Sequence, residues 1–248
     1  MSIRTTYTID VEPDLHDHQY KGITEGLKKF EKICDKHKIK PILFVTADCI
    51  KKYPEIFKRL EKKGWEISLH GFTHKRFDDI PYKEKEDEIK QSLTYWKKYL
   101  NSKPKGFRAP QHSIDEDTLD LLEKYGFEYD SSQTPLNFLQ LLFFPHKFPL
   151  WIKSFLTPRN PYKIRKNLYE YPPSALKIPF VSLTVRVLPK PFLRAYIALI
   201  KAFHTHPMFY AHSWDFIKLP ESRIDRTFPY TKLLDKLDYI ISLENENP

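Results

Sequence analysis

The chain has 248 residues, 41 Lys plus Arg against 32 Asp plus Glu, and a formal net charge of +9. At 41% hydrophobic and 29% charged residues it has the composition of a soluble globular protein, long enough to bury a core without disulfide staples. Basic residues alternate with acids, as in Lys28-Lys29-Phe30-Glu31-Lys32, which marks solvated helix faces and argues against nucleic acid as a partner.

One domain over 1–248 is expected, with an irregular insertion at about 134–189. No basic-then-apolar leader precedes the first strand, and no apolar run reaches about 18 residues, so a cytoplasmic location is expected. Cys34 and Cys49 are read as reduced core thiols.

In chain order, Thr6–Val11 reads as a strand ending in acids, and 22–37 as a helix with Leu27, Phe30, Ile33 and Cys34 on one face. Residues 41–45 read as a buried strand, 53–63 as a helix stopped by Gly64, and 65–69 as a third strand. A long helix at 81–100 follows, then a short strand at 106–108 and a helix from Asp115 to Tyr125. A strand at 127–130 completes this part. After the insertion come a helix at 191–203, a strand at 208–212 and a helix near 230–243. Strand and helix alternate, which predicts a parallel sheet covered by helices, open or closed into a barrel.

Chemistry-bearing residues recur after the strands. Asp10 and Glu12 end the first strand two residues apart, so both carboxylates can face one cavity; loop acids or helix caps are the plain alternative. Asp14, His16, Asp17 and His18 follow at once. His70 and His74 end the third strand, spaced to reach one ion if the chain coils into a helical turn between them. Arg108 follows the fourth strand and can orient a carboxylate through two parallel hydrogen bonds, or form a surface ion pair. His212 ends the late strand, where an imidazole can move a proton or simply be a structural hydrogen-bonding group. His204 and His206 sit at the opposite end of that strand and are set aside.

Taken together, Thr8-Ile9-Asp10-Val11-Glu12, Ser68-Leu69-His70-Gly71-Phe72-Thr73-His74, Phe107-Arg108-Ala109-Pro110 and Phe209-Tyr210-Ala211-His212 resemble the polysaccharide deacetylase (NodB-homology) family, carbohydrate esterase family 4. The resemblance covers nearly the whole chain and is weakest from about Thr134 to Tyr169. It implies an α/β fold, a distorted (β/α)7-type barrel with the irregular insertion. It also implies hydrolysis of an acetyl or formyl group from an amino sugar with a divalent metal. By motif, Asp10 is the general base, Arg108 holds it, His212 is the general acid, and His70 and His74 are metal ligands. Most relatives carry two adjacent aspartates in the first motif. Here Val11 takes the second place, so Glu12 is the third ligand and Asp14 the reserve. The ligand types suit zinc. Gln111 replaces the aromatic residue that usually follows Arg-x-Pro, and its backbone N–H is the expected oxyanion donor. The family's later Asp-Trp motif is reduced to Asp130-Ser131-Ser132, with Asp130 the candidate partner of His212.

Two other readings share the fold: an allantoinase-like amidohydrolase working without metal, and a non-catalytic carbohydrate- or lipid-binding relative. The apolar stretch from Leu136 to Leu156 is read as core or cavity lining. Its alternative is a surface meeting membrane lipid, with Lys147, Lys153, Arg159 and Lys163 facing anionic headgroups. A glycan substrate and peripheral lipid contact at the inner membrane face are thus the expected partners.

Overall fold

The computed structural model describes residues 3–15, 19–135 and 154–246. His16, Asp17 and His18, and most of the apolar stretch including Lys147 and Lys153, lie outside the described residues.

Among the described residues, eight strands form one curled sheet, an incomplete barrel: β1 (Thr6–Val11), β2 (Ile42–Val45), β3 (Glu66–Leu69), β4 (Gly106–Phe107), β5 (Tyr129–Asp130), β6 (Tyr162–Lys163), β7 (Tyr169–Glu170) and β8 (Met208–His212). Their spatial order is β6-β7-β5-β4-β3-β2-β1-β8. All neighbours pair in parallel except β6, which runs antiparallel to β7. Helices return the chain between them: α1 (Leu27–His37), α2 (Ala47–Lys52), α3 (Pro54–Lys62), α4 (Tyr82–Tyr99) and α5 (Glu116–Lys124), then α6 (Ser182–Val187), α7 (Lys190–Phe203), α8 (Arg223–Thr227) and α9 (Tyr230–Glu246). Asp115 caps α5 by accepting the Thr118 N–H at 3.0 Å. Cys34 and Cys49 are buried free thiols.

The insertion is expected to hold short helices and strands, and its described residues do. It carries α6, and its β7 pairs in parallel with β5, extending the main sheet. Strands of two residues are too short for hydrophobic alternation to show.

The period of two on β1 divides the strand's work. Tyr7, Ile9 and Val11 join a hydrophobic core with Leu43 and Val45 of β2, Ile67 and Leu69 of β3, and helix residues such as Leu27, Phe30 and Leu60. Thr8 and Asp10 face the other way. Asp10 is level with Phe44 of β2, which is level with Ser68 of β3. Below the chain turn that follows β8, Phe30 of α1 stacks on Phe216 with ring centroids 4.9 Å apart and planes 3° from parallel. The core is thereby bolted to the segment that follows His212.

Candidate active site

Each chemistry-bearing residue sits at the C-terminal end of a parallel strand, the end at which barrel-like α/β proteins collect such groups. Asp10 on β1 is level with His212 on β8. The His70 N–H bonds the Val45 carbonyl at 2.9 Å, and the Arg108 N–H bonds the Leu69 carbonyl at 2.9 Å, so each strand hands its terminal residue to the same rim.

Arg108 is fully buried, and its guanidinium is used up inside the barrel. Nη1 donates to Asp10 Oδ1 at 2.7 Å and to Thr8 Oγ1 at 3.1 Å; Nε and Nη2 donate to the Ser131 carbonyl (3.1 Å) and Ser131 Oγ (2.9 Å). Its plane lies over the Phe44 ring, 4.1 Å from the centroid. The two parallel bonds expected from Arg108 to one carboxylate are replaced by a single bond, because Ser131 takes the other edge of the fork. Burial pushes the Asp10 carboxyl up, but Arg108, then His70, His212 and His112, outweigh it and hold Asp10 below the usual carboxylate range. Asp10 is therefore a fixed, ionised carboxylate whose Oδ2 lies 3.5 Å from His70 Nε2.

His70, His74 and Glu12 converge. His70 Nδ1–H donates to the Arg108 carbonyl at 2.7 Å, which sets the tautomer and leaves the Nε2 lone pair aimed inward. His74 reaches the same point without a helical turn. The chain bends through Gly71 (φ 77°) and His74 (φ 61°) instead, and the two imidazole centroids end 5.1 Å apart. Gly71 is required there: a Cβ would sit 3.2 Å from the Phe77 ring and 3.3 Å from Pro110, in a backbone region that L side chains resist. Glu88 of α4 pins the bend, accepting the N–H groups of Phe72 (2.8 Å) and Thr73 (3.1 Å) and the Thr73 hydroxyl (2.8 Å).

Glu12 Oε1 accepts the Trp214 indole N–H at 3.4 Å. Glu12 Oε2 is buried without a hydrogen-bond donor and faces His74 Nε2 and, at 3.9 Å, His70 Nε2. Burial raises the Glu12 carboxyl, but His74, His212 and His70 prevail and lower it to about 2. One ligand atom from each of Glu12, His70 and His74 lies within 4.8 Å of the others. A buried carboxylate oxygen facing the Nε2 atoms of two imidazoles fits a divalent cation, and a two-imidazole, one-carboxylate set leaves coordination positions open. Asp14, the reserve ligand, is committed elsewhere: its carboxylate accepts the N–H groups of Lys21 (2.6 Å) and Gly22 (2.8 Å). This carboxylate thus meets unpaired N–H groups at the start of the helical segment that begins at Gly22.

On the far side stands His212. Its ring stacks on Trp214 at 4.1 Å and 15°, and Nε2 is 2.7 Å from the Tyr210 hydroxyl and 3.7 Å from Glu12 Oε1. Asp215 accepts the His212 backbone N–H at 2.9 Å and lies 3.7 Å from Nδ1. Asp215 is itself held by buried Arg186 of α6, which also bonds Asp225 at 3.1 Å. Burial lowers His212, yet Asp215 and Glu12 overcome it and raise its pKa; Asp215 is correspondingly lowered.

Asp130 does not partner His212. Its Oδ1 accepts the Ser132 hydroxyl at 2.6 Å, and it is level with Glu170 on β7. Burial raises both carboxyls, and the neighbouring Asp130 pushes Glu170 well above the carboxylate range. The chain-order pattern hides this, because β7 lies within the insertion and is only two residues long.

Sequence reasoning assigned no role to Tyr210, Asp215, Trp214, His112 or Arg186. The signal for Asp215 was its position three residues after a strand-ending histidine, where one turn of 3₁₀ helix returns the carboxylate to that residue. His112 Nδ1–H donates to the Ser132 carbonyl at 3.1 Å, and burial with Arg108 nearby lowers its pKa to about 4, so it is neutral. Gln111 and His112 both take left-handed backbone (φ 54° and 55°), a strained pair of the kind that gathers at functional sites.

The sequence pattern described as polysaccharide deacetylase matches residues 7–129. A peptidoglycan deacetylase-like protein of Gibberella zeae is 32% identical over 148 residues, 54% of this chain and 44% of that protein. A peptidoglycan deacetylase of Helicobacter pylori is 28% identical over 107 residues, 43% of this chain and 36% of that protein. The chain thus spans less than half the length of these curated relatives. A Mycobacterium smegmatis crystal structure assigned as a polysaccharide deacetylase superposes with a TM-score of 0.69 over 96% of this chain and 83% of that one, at 17% identity, a likeness of fold. The matched stretch runs from β1 to β5 and carries Asp10, Glu12, His70, His74 and Arg108 at strand ends, and over these residues the chain is similar to the polysaccharide deacetylase family.

Proposed function

We propose that the protein is a metal-dependent hydrolase that removes an N-acyl group, acetyl or formyl, from an amino sugar of a glycan. One observation carries this reading. A Glu12–His70–His74 donor set lies between a carboxylate buttressed by arginine and an imidazole backed by carboxylate. A bound divalent ion, zinc by its ligand types, would supply a Lewis acid for the amide carbonyl and a more acidic water.

The protein's own residues supply the rest. Asp10 takes the proton of the attacking water; Arg108 keeps it ionised and immobile. The backbone N–H of Gln111 is assigned to the carbonyl oxygen as charge develops on it. His212 gives a proton to the leaving nitrogen as the C–N bond breaks, releasing a free amine and a carboxylate. Trp214 and Asp215 hold the imidazole for that transfer.

The test is metal content of the purified protein, followed by mass-spectrometric screening of N-acylated amino sugars before and after chelation. Mass loss of one acyl group, abolished by chelator and restored by zinc, is the expected result. Full activity in a metal-free preparation overturns the metal half of the reading.

Asp215 gives a sharper check. Asp215→Asn is expected to lower kcat by about a hundredfold or more, since an imidazole without its carboxylate loses orientation and charge support. Asp215 raises the His212 pKa, so its neutralisation lets His212 lose its proton at lower pH. The basic limb of the kcat–pH profile should therefore move to lower pH, with metal content unchanged.

A further inference from the structure

Helix α7 is apolar on both of its faces. Leu193, Tyr196, Ile197 and Ile200 are buried against the body of the protein. The outer face carries Pro191, Phe192, Ala195, Ala198, Leu199, Ala202 and Phe203, all exposed. Phe192, Leu199 and Phe203 are 68%, 51% and 56% exposed. They stand at i, i+7 and i+11, one row along the helix. A helix apolar all round is normally buried on all sides, and a continuous exposed apolar row marks a surface that meets something.

The chemistry along the edge of that row says what. α7 holds no Asp or Glu; Lys190, Arg194 and Lys201 form a second row, separated from the large apolar one by the exposed Ala195, Ala198 and Ala202. Lys190 and Lys201 pair with Asp235 (3.0 Å) and Glu244 (2.9 Å) of α9, while Arg194 is exposed. At the C-terminal end of α7, the Asn160 side-chain oxygen accepts the Thr205 N–H at 2.8 Å. That bond ties in the segment bearing Phe155 and Leu156 (75% and 71% exposed) and exposed Arg159. Apolar groups are thus flanked by cations at both ends of the stripe. A second copy packed on this face would bring no acid of the helix to the exposed Arg194. A layer of anionic headgroups over hydrocarbon answers both rows at once.

We infer that the outer face of α7, with Phe155 and Leu156, is a membrane-docking surface that inserts its aromatic and aliphatic side chains at the boundary of an anionic lipid layer. No helix among the described residues is long and apolar enough to cross a membrane, so the contact is peripheral. The inference stands apart from the catalytic reading and does not need it.

The experiment is co-sedimentation of the full chain with phosphatidylcholine vesicles with and without phosphatidylglycerol, alongside size-exclusion chromatography with light scattering. Binding to the anionic vesicles only, weakened by salt, is expected. Phe192→Glu and Leu199→Glu should each weaken binding at least about tenfold, the loss of one large apolar side chain from the hydrocarbon boundary. Arg194→Glu should weaken it and flatten the salt dependence. All three positions are exposed, and unchanged circular dichroism verifies folding; if either apolar variant fails to fold, Arg194→Glu and the salt series decide. Equal binding by the variants, no binding by the parent chain, or a parent dimer that Phe192→Glu splits, would overturn the inference.

Discussion

Asp10→Asn is expected to abolish amide hydrolysis, with kcat down by about 10³-fold or more, while the protein still binds its metal. The magnitude reflects two losses at once. The substituted amide cannot take a proton, a contribution of about 10²–10⁴-fold for a well-placed general base. It also leaves the Arg108 guanidinium buried without the anion at 2.7 Å that balances it. Metal binding should survive because the donor set is Glu12, His70 and His74. Parallel measurement of kcat on an N-acyl amino sugar and of bound metal by emission spectroscopy checks both halves. Wild-type turnover in the Asn variant would remove Asp10 from the proposed chemistry.

The complementary result is expected for His70→Ala: loss of the ion and, with it, of turnover. Removing even a group that supports a ligand typically costs about 10–100-fold in metal affinity, so deleting a ligand should cost at least about a hundredfold. His70 is the more informative of the two histidines. It is buried, and its Nδ1–H bond to the Arg108 carbonyl holds Nε2 toward the cluster. The alanine variant should need far more zinc in titration to recover any activity, and its apparent affinity is the readout. An unchanged zinc affinity would show that the ion, if one is bound, sits elsewhere.

How far the sequence revealed this site depends on where each residue lies relative to a strand. Asp10, Glu12, His70, Arg108 and His212 were legible because each closes a recognisable apolar run, and strand ends in parallel sheets converge. The alternation that sends Ile9 and Val11 to the core and Asp10 inward could likewise be read directly. What stayed hidden was set by tertiary contact. Nothing local says that Asp14 will be drawn to the N–H groups of Lys21 and Gly22, or that Arg108 will divide its donors between Asp10 and Ser131. The partner of His212 was sought at Asp130 on β5, whereas the structure supplies it three residues downstream and gives Asp130 to Glu170 across the sheet. Strands of two residues, such as β6 and β7, carry too little pattern to be seen before the sheet that completes them.

Asp10 and His212 occupy matching positions on adjoining strands, so the backbones that carry the two groups assigned to proton transfer are held at the ladder spacing of about 4.8 Å. Side-chain rearrangement cannot restore it if one strand slides along the other by a residue, for such a shift also turns every side chain to the opposite face. Catalytic competence is in this sense a gauge of alignment at a single seam. Damage that loosens β1 from β8, however distant its origin, should silence the protein while most of its fold still stands.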